Sequence, residues 1–363
     1  MDLAVVIVSA NDAQWLEPCL SSVLAHAGDL RLELIVVDNA STDGTRELVE
    51  ARFPQARVVS SPNRGFAYGN NRGLEHTSAR YVLLLNPDTV ILQGTFAELL
   101  ATLDASPEIG LAGVRQVDAD GALLPTIRRF PSASRALGEA LASERWPLRP
   151  RWAGEREIDP VAYTRAHDCD WTAGSFMLIR REALLSAGVL DERFFLYSEE
   201  TDLCLRIKRA GWRVHHLPLM TIRHHAGKAG ARPALVAQDA LSRKLYARKH
   251  LPPLHRGLYL GAVAMRHALR SAGARAYELT GARAPAQLAA KGESARLALR
   301  TLVGRADAPF ILPPPTALGS TATQSAAADS AAAEPTGPPP ASYRRAGHDD
   351  ALASRREHDT LFV

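Results

Sequence analysis

The residues best equipped for chemistry are acidic and lie at the ends of apolar runs. Asp38 closes "LELIVVD" (32–38), and Asp88 follows "YVLLL" (81–85) through Asn86-Pro87. A carboxylate delivered by a buried run can meet a hard cation or a polar ligand, although an Asp there also serves as a cap for the next turn or helix. Two on one edge make an acidic floor. "YSEETDLCLR" (197–206) places Glu199, Glu200 and Asp202 within four residues. Clustered carboxylates repel, burial raises at least one pKa, and such a group suits a general base. The same stretch also reads as an acidic first helical turn facing solvent. His224 and His225 are neighbours, so on a strand at most one of them enters a given site. "SPNRGFAYGNNRG" (61–73) offers Asn63, Arg64, Gly65 and Asn70 at a helix start, where glycines admit a ligand to the backbone and the helix end attracts phosphate. It matches neither a P-loop nor a G-x-G-x-x-G fingerprint.

These groups need elements to hold them. Buried-strand runs at 3–9, 32–38, 57–61 and 81–85 alternate with helical patterns at 12–27, 39–53, 65–78 and 95–106. Strict alternation predicts right-handed β-α-β units and a parallel sheet, whose ligands bind beyond the carboxyl ends of the strands. Residues 110–124 read as a strand, an Asp-Gly turn and a return. Residues 125–167 lack periodicity and read as a long functional surface loop. Residues 170–188 read as a strand and short helix, and 192–218 as loop, helix and strand. Residues 219–225 read as one more short strand. Residues 234–305 read as two or three helices. From 306 the Pro/Ala/Ser/Thr-rich sequence predicts disorder. The expected division is therefore a catalytic domain over 1–233, a basic helical extension over 234–305 and a disordered tail over 306–363.

The charge distribution sharpens this. Residues 1–250 carry 30 basic and 30 acidic side chains, residues 251–305 nine against two, and residues 306–363 four against seven. The basic excess therefore sits in one helical segment. Within it, Leu258, Leu260, Val263, Met265 and Leu269 interleave with Arg256, Arg266 and Arg270. That is the pattern of a helix lying on an anionic membrane, and equally of a helix packed on its own domain. Cys19, Cys169 and Cys204 are too far apart for a metal or disulfide framework and read as reduced thiols. "MDLAVVIVSAND" lacks a basic start and reads as a core strand rather than a signal peptide, and no run is long enough to span a bilayer.

In order and spacing, "VVIVSAN", "LIVVDNASTDGT", "NRGFAYGNNRG", "LLLNPDT", "DWTAGSFMLIRREAL" and "DERFFLYSEETDLCLRIKRAGWRV", followed by "IRHHAG", resemble family 2 glycosyltransferases of the rhamnosyltransferase-like group over about residues 3–227. The resemblance implies a GT-A type α/β fold, a mostly parallel sheet flanked by helices. It implies an inverting transfer of a hexose, L-rhamnose from a dTDP-sugar in this group, onto a cell-surface glycan or lipid-linked saccharide. Asp38, Asn39, Asn63, Arg64, Gly65 and Asn70 would then bind the nucleotide-sugar. Asp88, in the place of the D-x-D motif, and His224 would hold Mg²⁺ or Mn²⁺. Glu200 would be the base with Glu199 as its stand-in, and Trp171, Thr172, Gly174 and Ser175 would line the sugar and acceptor side. Three positions depart from the commoner pattern: "SAN" for Ser-Tyr-Asn, Asn86 for a second metal-motif Asp, and Glu200 for Asp. The expected setting is cytoplasmic, at the inner face of the membrane, with no nucleic-acid partner. Two other readings compete: a nucleotidyltransferase, which would open with a phosphate loop that is absent here, and a non-catalytic module docking at the membrane through its basic helices.

Overall fold

The computed structural model describes residues 1–143, 146, 150, 152–225, 233–279 and 286–304. The expected tail over 306–363 lies outside the described residues. In chain order the elements are β1 (Leu3–Ser9), α1 (Ala13–Ala25), β2 (Leu32–Asn39), α2 (Thr45–Arg52), β3 (Ala56–Ser61), α3 (Phe66–Leu74), β4 (Tyr81–Leu85), β5 (Thr89–Gln93), α4 (Phe96–Ala105) and β6 (Ile109–Val117). They continue as β7 (Ile127–Arg128), α5 (Ala133–Ala140), a 3-10 turn (Pro160–Thr164), β8 (His167–Asp168), β9 (Trp171–Thr172), β10 (Phe176–Arg180), α6 (Arg181–Ala187), α7 (Glu199–Arg209) and β11 (Arg213–His224). Three helices follow: α8 (Pro233–His250), α9 (Pro253–Leu279) and α10 (Ala286–Val303).

One sheet of nine strands runs in the order β3-β2-β1-β4-β10-β6-β11-β5, with β8 paired to β11. The first four strands are parallel, as the alternation predicts, in a register that sets Ser9, Asp38 and Ser60 side by side at their carboxyl ends. β1 and β4 are buried along their whole length, which is why they read as unbroken apolar runs. Beyond β4 the sheet is mixed. β10 runs antiparallel to both β4 and β6, β11 is parallel to β6, and β5 is antiparallel to β11. Leu3, Val5, Ile7, Leu83, Leu85, Phe96 and Leu99 anchor the core on one face of the sheet, and Val6, Val8, Leu84, Met177, Leu203 and Ile207 anchor the other. Each such aliphatic side chain contributes about 1.5–3 kcal/mol by burial.

Three expectations change. Residues 125–167 are not a bare loop. They hold β7, which pairs with β9 in a small second sheet, and α5, capped by Ser132 through the Arg135 backbone N–H at 3.3 Å. Tyr163, from the 3-10 turn, is fully buried. Two-residue strands and a two-turn helix are too short for any period to show. The strands expected near 213–218 and 219–225 are one strand, β11, whose register against β6 shifts between His216 and Thr221, where Leu217-Pro218 intervenes. The stretch between the expected strand at 81–85 and helix at 95–106, to which no element was assigned, holds β5, in "TVILQ".

In the C-terminal helices, Leu260 and Val263 of α9 turn inward and pack with Tyr259 and Ala262 around Ala136 of α5. Arg266 pairs with Glu139 at 3.1 Å. Leu254, Leu258 and Leu269 face solvent, at 71%, 57% and 50% exposure. The interleaved set thus divides into a packed face and an outer apolar stripe. No described helix is long and apolar enough to cross a membrane. All three cysteines are free and buried.

Candidate active site

The parallel half brings Asp38 and Asn39 to the carboxyl end of β2. Asp38 is buried, and one of its carboxylate oxygens accepts from the Ser41 N–H at 3.0 Å, so it does cap the following turn. That turn is stitched to the loop after β1. Asn11, held at φ 62°, accepts from the Thr42 N–H at 2.8 Å, and Ala40 sits at φ 57°. The Asn39 amide donates to the Gly65 carbonyl at 3.3 Å. Asn63 accepts from the Gly65 N–H at 3.2 Å, and Arg64 stacks over Tyr68 at 5.3 Å. Asn70 donates to the Phe66 carbonyl one helical turn back, at 2.9 Å. Gly65 has φ +100°, and a Cβ there would lie 2.1 Å from the Phe195 carbonyl oxygen, which itself accepts from the Phe66 N–H at 2.7 Å. Only glycine allows α3 to start against the chain that leads into α7.

Sheet register builds the second group. β5 and β11 pair so that Thr89 faces His224, which brings the start of β5 to the end of β11. The His225 N–H donates to the Asp88 carbonyl at 2.9 Å. His224 Nε2 then sits 3.2 Å from the Asp88 carboxylate and 3.3 Å from the Asn86 amide nitrogen. Pro87 fixes the backbone between Asn86, whose carbonyl accepts from the Thr89 hydroxyl at 2.7 Å, and Asp88. Residues 136 positions apart thus form one polar cluster. Among the described residues no three His, Cys, Asp or Glu side chains gather as a metal site. One carboxylate and one imidazole fit a divalent cation that takes its remaining ligands from substrate phosphates and water.

The third group is the acid turn. Tyr197 and Ser198 both lie in the left-handed region, at φ 70° and 66°, immediately before Glu199 and Glu200. Non-glycine residues in that region cost of order 1–3 kcal/mol each and gather at working sites. Glu199 is buried and Glu200 half-buried, and the Oε2 atom of each is buried without a hydrogen-bond partner. Burial, then the neighbouring Glu200 charge, pushes the Glu199 carboxyl well above the ordinary carboxylate range. Burial also raises Glu200, but its backbone hydrogen bonding and the positive charge of Arg128 partly offset this. Two adjacent acids with different environments are raised to different degrees, the arrangement from which an acid–base pair can be built.

The segment over 171–175 joins these groups. The Ser175 carbonyl accepts from the Asn86 N–H at 3.1 Å. A Cβ on Gly174 would lie 3.7 Å from both the Glu200 Cβ and the Phe66 ring. Ser175 donates to Gln116 at 2.7 Å, deep in the structure. Thr172 is buried against Gly113, and Trp171 is buried with its indole N–H on the Arg129 carbonyl at 3.0 Å. Thr172 and Trp171 are therefore packed side chains. The structure adds residues that sequence reasoning missed. Arg128 lies over the Trp171 ring at 5.2 Å, with its Nε buried and unpartnered. Its stretch, "TIRRFPS", falls in the segment read as loop. Asp202, fully buried, meets Arg206, Lys249 and His250. Its i, i+4 spacing from Arg206 was legible, but its partners on α8 were not.

The comparisons with known proteins agree with this geometry. The model of glycosyl transferase family 2 matches residues 4–184. The chain is 30% identical over 247 residues to an N-acetylglucosaminyl-diphospho-decaprenol L-rhamnosyltransferase of Mycobacterium tuberculosis (strain CDC 1551 / Oshkosh), covering 64% of this chain and 79% of that one. It is 24% identical over 232 residues to the rhamnosyltransferase WbbL of Escherichia coli (strain K12), covering 61% and 83%. Among solved structures, GalNAc-T7 with UDP, GalNAc and Mn²⁺ superposes with a TM-score of 0.50 at 13% identity, covering 69% of this chain and 52% of that one, a likeness of fold alone. Neither nucleotidyl transfer nor a non-catalytic docking role fits this family: the chain belongs to glycosyl transferase family 2, has its GT-A type fold, and is a glycosyltransferase.

Proposed function

We propose that the enzyme moves a hexose from a nucleoside diphosphate sugar to a hydroxyl of a lipid-linked saccharide or cell-surface glycan, with inversion at the anomeric carbon. L-Rhamnose is the sugar that the relatives' names favour, and a dTDP-sugar is the donor expected from the sequence resemblance. The observation that carries the reading is the Asp88–His224 pair, joined through Asn86, Ser175 and Gly174 to the half-buried Glu200. In this reading Asp38, Asn39, Asn63, Arg64, Gly65 and Asn70 frame the nucleotide. Asp88 and His224 would hold Mg²⁺ or Mn²⁺, which when bound neutralises charge on the leaving diphosphate. Glu200 takes the proton of the acceptor hydroxyl as that oxygen attacks the anomeric carbon from the side opposite the diphosphate, so one glycosidic bond forms as one C–O bond breaks. The Arg128 charge partly offsets the burial that raises Glu200, whereas burial and the neighbouring Glu200 charge raise Glu199 well above its ordinary range. Binding of a panel of nucleotides and nucleotide-sugars, with and without Mn²⁺, tests this on the wild type and Asp88→Ala. One sugar nucleotide should bind in a Mn²⁺-dependent manner and lose that dependence in the variant. Equal binding with and without metal in both proteins would remove the metal role.

A lipid-linked acceptor calls for a membrane surface. The outer stripe of α9, Leu254, Leu258 and Leu269, with Arg256, Arg270 and Arg275 on the same helix, suits the headgroup region of an anionic bilayer. The protein should sediment with vesicles containing phosphatidylglycerol and less with pure phosphatidylcholine. Leu254→Glu with Leu258→Glu should abolish the difference; unchanged sedimentation of that variant would count against α9 as the contact.

A further inference from the structure

The strained start of α7 needs something to hold it, and the held contacts come from the C-terminal extension. The Leu196 carbonyl, one residue before Tyr197, accepts from the Ser242 hydroxyl at 2.7 Å and from the Gln238 amide at 3.4 Å. Gln238 and Ser242 are fully buried on α8 and hydrogen-bonded to each other at 3.1 Å. On the other side of the acid pair, Asp202 receives Lys249 Nζ and His250 Nε2 from the end of α8, each at 2.6 Å, besides Arg206 from its own helix at 2.8 Å. Burial pushes the Asp202 carboxyl up, but these hydrogen bonds and charges outweigh it and hold the group below its ordinary range. Lys249 also bridges to Asp191 at 2.6 Å, and Arg209 donates to His250 Nδ1 at 3.0 Å. Since a guanidinium can only donate, Nδ1 accepts and the His250 proton lies on Nε2, aimed at Asp202.

The chain from Leu196 to Asp202 is thus fastened at both ends to α8, and between the fastenings lie the two left-handed residues and the two acids. α8 lies beyond the residues matched by the family model. We propose that α8 is the element that holds the acid-bearing turn in its working geometry, with Ser242 and His250 as positioning residues for Glu200. The proposal rests on reading Glu200 as the base. Without the anchors, Tyr197 and Ser198 relax toward ordinary backbone and carry the carboxylate away from the acceptor. Misplacement by about 1 Å costs on the order of 100-fold in rate.

The experiment compares the full-length wild type with Ser242→Ala, Ser242→Thr and His250→Gln in two independent readouts. Steady-state transfer should show kcat reduced about 10- to 100-fold in Ser242→Ala, with donor KM unchanged and activity largely retained in Ser242→Thr and His250→Gln, which keep a donor in place. Hydrogen–deuterium exchange should show faster exchange confined to residues 196–202 in Ser242→Ala, with β1, β4 and the Asn86–Asp88 turn unchanged. Exchange reads the clamp even if no transfer is found, so failure of the functional reading is separable from failure of this one. Unchanged exchange over 196–202, or a loss of kcat that Ser242→Thr shares in full, would overturn the proposal. So would a rise in donor KM equal to the loss in kcat, because that marks general damage rather than a displaced base.

Discussion

The two halves of the candidate site are built differently. On the side proposed for the nucleotide, Asp38, Asn39, Asn63 and Gly65 sit on consecutive β-α units; Asn39 and Asn63 both bond to Gly65, and Asp38 accepts from Ser41. On the acid side, Glu199 and Glu200 lie next to two left-handed residues, with buried oxygens unpartnered and carboxyls pushed up by burial. The first half also carries some strain, with Asn11 and Ala40 in the left-handed region and the Asn39 and Asn70 side-chain oxygens buried without partners, but its described residues leave no carboxylate oxygen buried and unpartnered. The second stores strain and desolvation, and is held by a helix some 40 residues further along the chain. The difference that matters is the desolvated acid, which is suited to proton transfer because general bases work best with pKa values moved toward the operating pH.

Substitutions at the acids give the largest contrast. Glu200→Gln keeps the size and most of the packing of the side chain but removes the proposed base. Transfer should fall about 10²- to 10⁴-fold, while nucleotide-sugar binding, measured by calorimetry, changes less than about twofold. Equal loss of binding and rate would erase the division between the halves. Retained activity, together with loss in Glu199→Gln, would move the base to Glu199.

The same division explains what the sequence made legible. β1 and β4 are buried throughout and β2 over all but its start, and β2 carries Asp38 at its end while β4 leads to Asp88, so their apolar runs and the two carboxylates stand out in the letters. The cluster of Asn86, Asp88 and His224 is different. It depends on β5 pairing with β11 over 130 residues of separation, and spacing within either stretch carries no trace of that register. His224 could be named only because the whole set of motifs resembled a family. Arg128 was hidden because β7 is two residues long, and its position over Trp171 depends on the pairing with β9. The helices over 234–305 were visible as helices, yet their role at Asp202 and Leu196 was not. Buried Lys, His and Ser on a helix look in sequence like any polar face, and α8 carries little periodic contrast because both its faces meet protein at several points.

A smaller effect tests the cost of the acid side directly, through stability rather than rate. Glu199 is almost wholly buried, with one oxygen unpartnered, and its carboxyl titrates well above the ordinary value of 4.5. Between that ordinary value and the raised one, the folded state holds a proton that the unfolded state has released. The folded protein therefore binds more protons in this window, and its stability falls as pH rises through it. Below the window both states are protonated and no penalty remains. Glu199→Gln removes the titration and keeps a neutral side chain of nearly the same shape. Thermal melts should show the variant close to wild type near the ordinary carboxylate pKa and more stable by about 1 kcal/mol or more above the window. A difference that grows with pH confirms that the fold sustains a buried acid at its own expense. A variant less stable at every pH would show instead that the Glu199 carboxyl is well paired, and that the acid side carries no such cost.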